Sequence, residues 1–386
     1  MAEVTQKKTT IAIDPVTRIE GHLKAEVVVE NGKVVDAKLT GGMYRGFESI
    51  LRGRHPRDAA QIVQRICGVC PTAHATAASI ALEKASGTAV PSNGRATRNL
   101  ILGANYLQSH ILHFYHLAGQ DFIQGPDTAP FMPRYAKPDL RLPPAINAVG
   151  VDQYVEALEV RAVCHEMVAL FGGRMPHVHG ILAGGASEIP TKEKLVEYAA
   201  RFKKVRKFVE EKYLPVVYLV GSQYKDLGTF GQGYRNALCV GVFPLDDEGK
   251  EFVFKAGAYQ DGKDMPFDVK KVTEDVKYSW FADSTSGKPF TKGENVLEVD
   301  KKGAYSFVKA PLYNGKPMEV GPLARMWVNN KPISPIGQKL FKEYFGLDVK
   351  NFRDMGEDLA FSLLGRHVAR AEEAYLMLDV IERFLK

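Results

Sequence analysis

The alternation of apolar and polar residues predicts strands at the start of the chain. Residues 23–39 (LKAEVVVENGKVVDAKL) alternate on both sides of Asn31-Gly32, the residue pair favoured in tight hairpin turns. Residues 9–14 (TTIAID) have the composition of one further short strand. We therefore expect an N-terminal β-hairpin region.

Helical periodicity dominates the chain after this region. Residues 95–117 are apolar on most sides, which predicts a helix buried in a bundle. Pro56 suits the first turn of another helix. Further helices are expected at 56–66, 73–86, 151–171, 191–212, 336–345 and from 355 to the end of the chain.

The pattern changes between residues 213 and 311, where Gly, Pro, Asp and Lys separate short β-prone runs. Three such runs are 216–220, 251–254 and 304–308. We predict a loop-rich β insertion here, within a single α+β, mainly α domain that spans residues 1–386. The last amphipathic segment, 359–386, reaches the final residue without Gly or Pro, and we interpret this as a chain that continues further.

Composition narrows the classes of function. The chain has 386 residues, 45% of them hydrophobic and 25% charged, as is ordinary for a soluble globular protein. A formal net charge of +6 is too small to indicate a nucleic-acid partner. No apolar run approaches the roughly 18 residues of a membrane span, and the first residues lack the apolar core of an export signal.

The motif with the strongest chemical signal is RICGVCPTAH, residues 65–74, in which Cys67 and Cys70 lie three apart. Pro71 suits the first turn of a helix, so we expect Cys70 to lie where a helix begins and where the helix dipole favours a thiolate. His74 follows one turn later. This spacing fits three interpretations: half of a four-ligand metal site, a redox pair, or two buried cysteines. A metal site would need further ligands.

Two carboxylates near the N-terminus have ordinary explanations when the local sequence is considered alone. Glu20 lies between two predicted strands, where an ion pair with Arg18 or His22 explains it. Glu48 follows Arg45 closely, and an ion pair between these two side chains is the simplest interpretation.

The remaining cysteines and a set of histidines are best explained as parts of the core. Cys164 and Cys239 lie among regularly spaced apolar residues. His110, His113 and His116 share one helix beside aromatic residues, which favours hydrogen-bonded core histidines over metal ligands. The sequence contains no glycine-rich phosphate-binding loop and no nucleophile elbow.

Three segments in order resemble the large, catalytic subunit of nickel–iron hydrogenases, and most of all the nickel–iron–selenium subgroup of sulfate-reducing bacteria. The resemblance extends from about Thr10 to Lys386. The segments that carry it are DPVTRIEGH (14–22), MYRGFESILRGRHPRDA (43–59) and RICGVCPTAH (65–74).

This resemblance implies a role for five side chains. Cys67 is expected to bind nickel terminally, and Cys70 to bridge nickel and an iron that carries CO and CN ligands. His74 would hydrogen-bond the bridging sulfur. Glu20 would relay protons beside the active site, and Glu48 would bind a magnesium or similar ion near the C-terminal end of the subunit.

The implied activity is the reversible heterolytic splitting of dihydrogen, with the hydride on the metals and the proton on a terminal thiolate or selenolate. Electrons would leave through iron–sulfur clusters held only by a small subunit, and then pass to a cytochrome-type acceptor. Export together with that subunit would place the protein in the periplasm, in solution or at the membrane. The alternatives are a hydrogen-sensing member of the family and a hydrogenase-like scaffold without activity.

The sequence also departs from the family. In the family, the other two metal ligands belong to a second motif at the extreme C-terminus. This motif is a cysteine or selenocysteine, then two other residues, then a cysteine. Residues 1–386 contain no such motif. We therefore expect a chain cut short, or a second polypeptide that supplies the missing ligands. Ser109 stands where many nickel–iron members have an aspartate, as fits the selenium-containing subgroup.

Overall fold

The computed structural model describes residues 8–134 and 138–386. About 49% of the chain is helical and 16% is strand, in agreement with the predicted mainly helical class. Contacts between residues define two compact units. Unit 1 consists of the N-terminal segment, which ends at Arg52, and of Asp268–Met318. Unit 2 consists of Gly53–Phe267 and Glu319–Lys386.

The α-helices are α1 (Phe47–Leu51), α2 (Ala59–Ile62), α3 (Pro71–Ser86), α4 (Ser92–Leu112), α5 (Pro144–Gly172), α6 (Lys192–Phe208), α7 (Leu214–Gln223), α8 (Pro322–Val328), α9 (Pro335–Phe345), α10 (Gly356–Ala360) and α11 (Leu363–Leu385). The strands are β1 (Lys8–Ile13), β2 (Leu23–Glu30), β3 (Lys33–Gly41), β4 (Ile181–Leu182), β5 (Gly185–Ala186), β6 (Ala237–Cys239), β7 (Val242–Pro244), β8 (Phe252–Phe254), β9 (Gly257–Gln260), β10 (Lys263–Met265), β11 (Val272–Asp275), β12 (Lys288–Pro289) and β13 (Ala310–Tyr313).

Unit 1 contains the predicted hairpin. Strands β1, β2 and β3 form an antiparallel sheet in that order, with Ile11 opposite Val27. Asn31 and Gly32 both have positive φ angles, as the tight turn between β2 and β3 requires. A second sheet in this unit has the order β12-β11-β13.

Unit 2 is built on the long helix α4, which packs against α5 and α11. Helix α5 also contacts α6, and α7 contacts α9. Most residues of α4 from Thr97 onwards are buried, which confirms the prediction of a buried helix at 95–117. Among the described residues, no helix combines the length and the apolar character that crossing a membrane requires.

Two of the predicted β-prone runs are not strands. Residues 216–220 lie in helix α7, which has Pro215 in its first turn, and four of these five side chains are buried. Burial against neighbouring helices has overridden the local β preference of this run. Residues 304–308 hold only an isolated bridge from Ser306 to Ser279. The run 251–254 does form a strand, β8.

Candidate metal centre

The loop with two cysteines connects a short turn to helix α3. Cys67 follows the turn Val63–Ile66 in an extended conformation, and its N–H donates to the carbonyl of Gln64 at 3.3 Å. Cys70 is the N-cap residue of α3, directly before Pro71. The predicted position of Cys70 at the start of a helix is therefore confirmed.

The two cysteines of this loop are chemically suited to bind a soft metal. The backbone N–H of Cys70 donates to Sγ of Cys67 at 3.3 Å, so the sulfur of Cys67 faces the positive end of α3. Both residues are half-buried thiols, unlike Cys164 and Cys239, which are fully buried. Thiolates are the ligands that soft metals prefer. The interpretation of Cys67 and Cys70 as two buried apolar groups is therefore wrong.

His74 lies one turn into α3 and is half-buried. Burial lowers its pKa below the ordinary value. The imidazole is therefore neutral at pH 7, with one ring nitrogen as donor and the other as acceptor. A neutral ring of this kind can donate a hydrogen bond to a nearby thiolate sulfur without adding charge to the site.

Buried amide side chains attach this loop to the rest of unit 2. Gln108, on α4, donates from Nε2 to the carbonyl oxygen of Val69 at 3.2 Å. Gln64 donates from Nε2 to the carbonyl oxygen of Val178 at 2.9 Å. Neither amide was predicted from the sequence. The available signal for Gln108 was its polar side chain within a helix that is apolar on most sides.

The two predicted carboxylates lie in unit 1. Glu20 is exposed and precedes β2, and the neighbouring His22 ring bonds to Asp14 Oδ1 at 2.8 Å. Glu48 is exposed in the first turn of α1, while the Arg45 guanidinium lies over the ring of Phe47, 4.9 Å from its centre. The roles expected of Glu20 and Glu48 stay predictions.

The other cysteines are core residues, as predicted. Cys164 has no exposed surface, and burial raises the pKa of its thiol to about 12. Burial also raises the pKa of Cys239. Within residues 8–134 and 138–386, no cluster of three or more His, Cys, Asp or Glu side chains could hold a metal ion. Cys67 and Cys70 are thus two donors, half of the set that soft metals usually take.

Of the three histidines predicted to be in the core, His110 is buried, and His113 and His116 are half-buried in unit 2. The Nε2 of His110 lies 3.1 Å from Glu373 Oε2. The ring of His113 packs against that of His367, with 5.6 Å between ring centres. His116 Nε2 lies 3.2 Å from the carbonyl oxygen of Tyr154.

Comparison with known proteins identifies the family. The family model described as nickel-dependent hydrogenase matches residues 45–127 and 120–386, and a model described as HoxL-like matches residues 10–40. The large subunit of the periplasmic [NiFeSe] hydrogenase of Desulfomicrobium baculatum is 59% identical over 388 residues, which cover 98% of this chain and 75% of that subunit. The Hydrogenase-2 large chain of Escherichia coli K12 is 33% identical, over 96% of this chain and 77% of its own length.

Solved structures agree with the sequence comparison. The Ni-Fe-Se hydrogenase of D. vulgaris Hildenborough in the reduced state superimposes with a TM-score of 0.96 and 71% sequence identity, over 98% of this chain and 79% of that chain. The reduced, active Ni-Fe-Se hydrogenase of Desulfomicrobium baculatum gives a TM-score of 0.94 at 59% identity. The chain therefore belongs to the nickel-dependent hydrogenases, as a large subunit similar to those of the nickel–iron–selenium enzymes.

Proposed function

We propose that this chain catalyses the reversible heterolytic cleavage of dihydrogen at a nickel–iron centre to which Cys67 and Cys70 contribute two thiolate ligands. One observation carries the proposal: both thiols are half-buried at the start of α3, and the Cys70 N–H donates to Cys67 Sγ at 3.3 Å. The hydrogenase relatives make a non-catalytic scaffold the less favoured alternative.

Each residue of the motif has a distinct part in this proposal. When bound, the centre supplies the site at which dihydrogen is split into a hydride and a proton. Cys67 would hold the nickel and Cys70 would be the thiolate shared by nickel and iron, and CO and CN ligands on the iron are what the family resemblance implies. His74 would donate a hydrogen bond from its ring to the sulfur of Cys70 and orient that sulfur.

Proton movement is assigned to Glu20. A carboxylate can accept a proton from a thiol ligand and release it toward solvent. Glu48 is assigned to a magnesium or similar hard cation, for which carboxylate oxygen is a suitable ligand. Both assignments rest on the resemblance of the segments 14–22 and 43–59.

The partner is a small subunit that carries the iron–sulfur clusters. Such clusters need several thiolates each, whereas the chain has four cysteines, two of them buried in the core. From the small subunit, electrons pass to a cytochrome-type acceptor. We place the complex in the periplasm because the Desulfomicrobium relative is named a periplasmic enzyme, and association with the membrane is the further possibility that fractionation would test.

The proposal is tested on the natural complex, purified without oxygen, in which this chain occurs with its small subunit and with whatever polypeptide segment supplies the other two metal ligands. Metal analysis is expected to give about one nickel per large subunit, and the complex is expected to reduce a viologen dye with hydrogen gas. A complex that contains no nickel and transfers no electrons from hydrogen would overturn the proposal. Nickel with very slow turnover would instead favour the hydrogen-sensing alternative.

A further inference from the structure

The side chain of Gln108 reaches the loop between the two cysteines. It has no exposed surface, and its Nε2 donates to the Val69 carbonyl oxygen at 3.2 Å and to Ser109 Oγ at 2.7 Å. We propose that Gln108 is a positioning residue, which fixes the loop so that Cys67 presents its sulfur to the metal. This inference rests on the proposed function, because it assigns Gln108 to the same site.

The peptide unit that Gln108 holds also contacts the sulfur of Cys67. The Val69 carbonyl and the Cys70 N–H belong to one planar peptide unit, in which the two groups point in opposite directions. Gln108 binds the carbonyl end, and Cys67 Sγ accepts from the N–H end at 3.3 Å. Rotation of this peptide would break both bonds together, so the amide on α4 controls the hydrogen bond that the sulfur receives.

The surroundings of Gln108 allow one orientation of its amide. Arg161 Nε, which can only donate, lies 3.2 Å from Gln108 Oε1. His165 Nε2 lies 3.4 Å from the same oxygen. The Val69 carbonyl can only accept, so it requires the amide nitrogen. In a flipped amide, the oxygen would face the Val69 carbonyl oxygen and the NH₂ group would face the N–H of Arg161. The amide of Gln108 is therefore fixed in one orientation and can support the loop.

A simpler role must be separated from this one, namely that Gln108 only satisfies Arg161. The substitution Gln108→Glu separates the two. A carboxylate keeps acceptor oxygens for Arg161 and His165, but it has no N–H for the Val69 carbonyl. If Gln108 positions the loop, the glutamate variant fails at the metal site. If Gln108 only satisfies Arg161, the glutamate variant behaves as the wild type does.

Helix α4 offers a matched control. Asn99 is also buried, and its Nδ2 donates to the carbonyl oxygen of Pro244 at 2.9 Å. Asn99→Asp therefore makes the same chemical change in the same helix, facing a carbonyl outside the cysteine motif. Any general effect of a buried carboxylate on folding should appear in both variants.

The experiment compares wild type, Gln108→Glu and Asn99→Asp as complexes with the small subunit. Nickel per chain and amide hydrogen exchange in a peptide covering residues 65–74 are measured. We expect Gln108→Glu to bind nickel about 10- to 100-fold more weakly, so that it retains less nickel per chain, and to exchange the Cys70 amide faster. Asn99→Asp should keep both nickel and protection of that amide.

Equal nickel and equal protection in Gln108→Glu and Asn99→Asp would overturn the inference. If Gln108→Glu does not accumulate, Gln108→Asn, which is shorter by one methylene and cannot reach Val69, is judged by the same two measurements. Wild-type complex without nickel would defeat the proposed function itself. If the wild type contains nickel, and Gln108→Glu contains as much nickel and protects the Cys70 amide as well, only the role of Gln108 is defeated.

Discussion

The backbone N–H of Cys70 donates a hydrogen bond to Sγ of Cys67 at 3.3 Å, across the loop that begins helix α3. This bond fixes the sulfur of Cys67 at the start of α3, and both cysteines of the loop are half-buried. The two sulfurs can therefore act as a pair of metal donors, and the loop differs chemically from the places where the other cysteines lie.

This difference predicts selective alkylation in the metal-free chain. Iodoacetamide reacts with the thiolate, and burial raises the pKa of the Cys164 thiol to about 12. We expect Cys67 and Cys70 to be modified at least about 100-fold faster than Cys164 at pH 8. Peptide mapping by mass spectrometry measures each rate. Equal rates for the three cysteines would contradict the chemical distinction drawn here.

Substitution of Glu20 tests the proton relay. Glu20→Gln removes the proton acceptor with little change in size, so turnover with hydrogen should fall by about 10²- to 10⁴-fold while nickel content stays the same. Glu26→Gln is the control, because Glu26 is on the neighbouring strand β2 and pairs with Lys24 at 3.2 Å. A turnover unchanged by Glu20→Gln would remove Glu20 from the mechanism.

A buried ion pair in unit 2 predicts a large loss of stability. Burial alone would raise the pKa of Glu373, but Arg325 and His110 lower it to about 2, and Arg325 Nη2 lies 2.8 Å from Glu373 Oε2. Arg325→Met leaves this carboxylate buried without its cation, so the free energy of unfolding should fall by about 3–5 kcal/mol.

The control for that variant is an exposed ion pair. Arg201 bonds to Glu166 at 2.8 Å on the surface of the helices α6 and α5. Arg201→Met should cost only about 0–1 kcal/mol, because solvent screens the pair. Denaturant unfolding measures both variants, and equal losses would show that the burial of Glu373 does not matter.

Two packed histidines predict a loss of stability in acid. Burial, aided by Arg370, lowers the pKa of His367 to about 4 and that of His113 to about 3. Unfolded histidine has a pKa near 6.5, so the folded state binds fewer protons. The stability that His367 contributes is thus fully present above about pH 6.5 and is lost as the pH falls toward 4.

The variant His367→Phe removes this titration. Between pH 7 and pH 4, its free energy of unfolding should fall by about 3 kcal/mol less than that of the wild type. Denaturant titrations at a series of pH values measure the difference. Parallel curves for the two proteins would show that His367 is as accessible to protons in the folded state as in the unfolded state.

Local sequence signals predicted the elements whose causes are local. Asn31-Gly32 placed the hairpin turn because both residues tolerate positive φ angles. Pro71 placed the start of α3 and hence Cys70. The run 216–220 was predicted incorrectly, because its β preference yields to packing against helices distant in sequence.

The supports of the site could not be predicted in the same way. Gln108 and Val69 are 39 positions apart, and no local pattern links an amide to a particular carbonyl. Gln64 and Val178 are 114 positions apart. Short motifs therefore located the two sulfurs that we propose as metal ligands, whereas the bonds that support their loop follow from the packing of unit 2 and became visible only in the structure.

The most direct test of the central claim is the nickel content of three complexes: wild type, Cys67→Ser and Cys164→Ser. Serine keeps the size of each side chain but removes the soft donor. The nickel–iron account predicts about one nickel per large subunit in the wild type and in Cys164→Ser, and almost none in Cys67→Ser. Full nickel loading of Cys67→Ser would contradict the assignment of Cys67 as a ligand and, with it, the metal centre proposed for this loop.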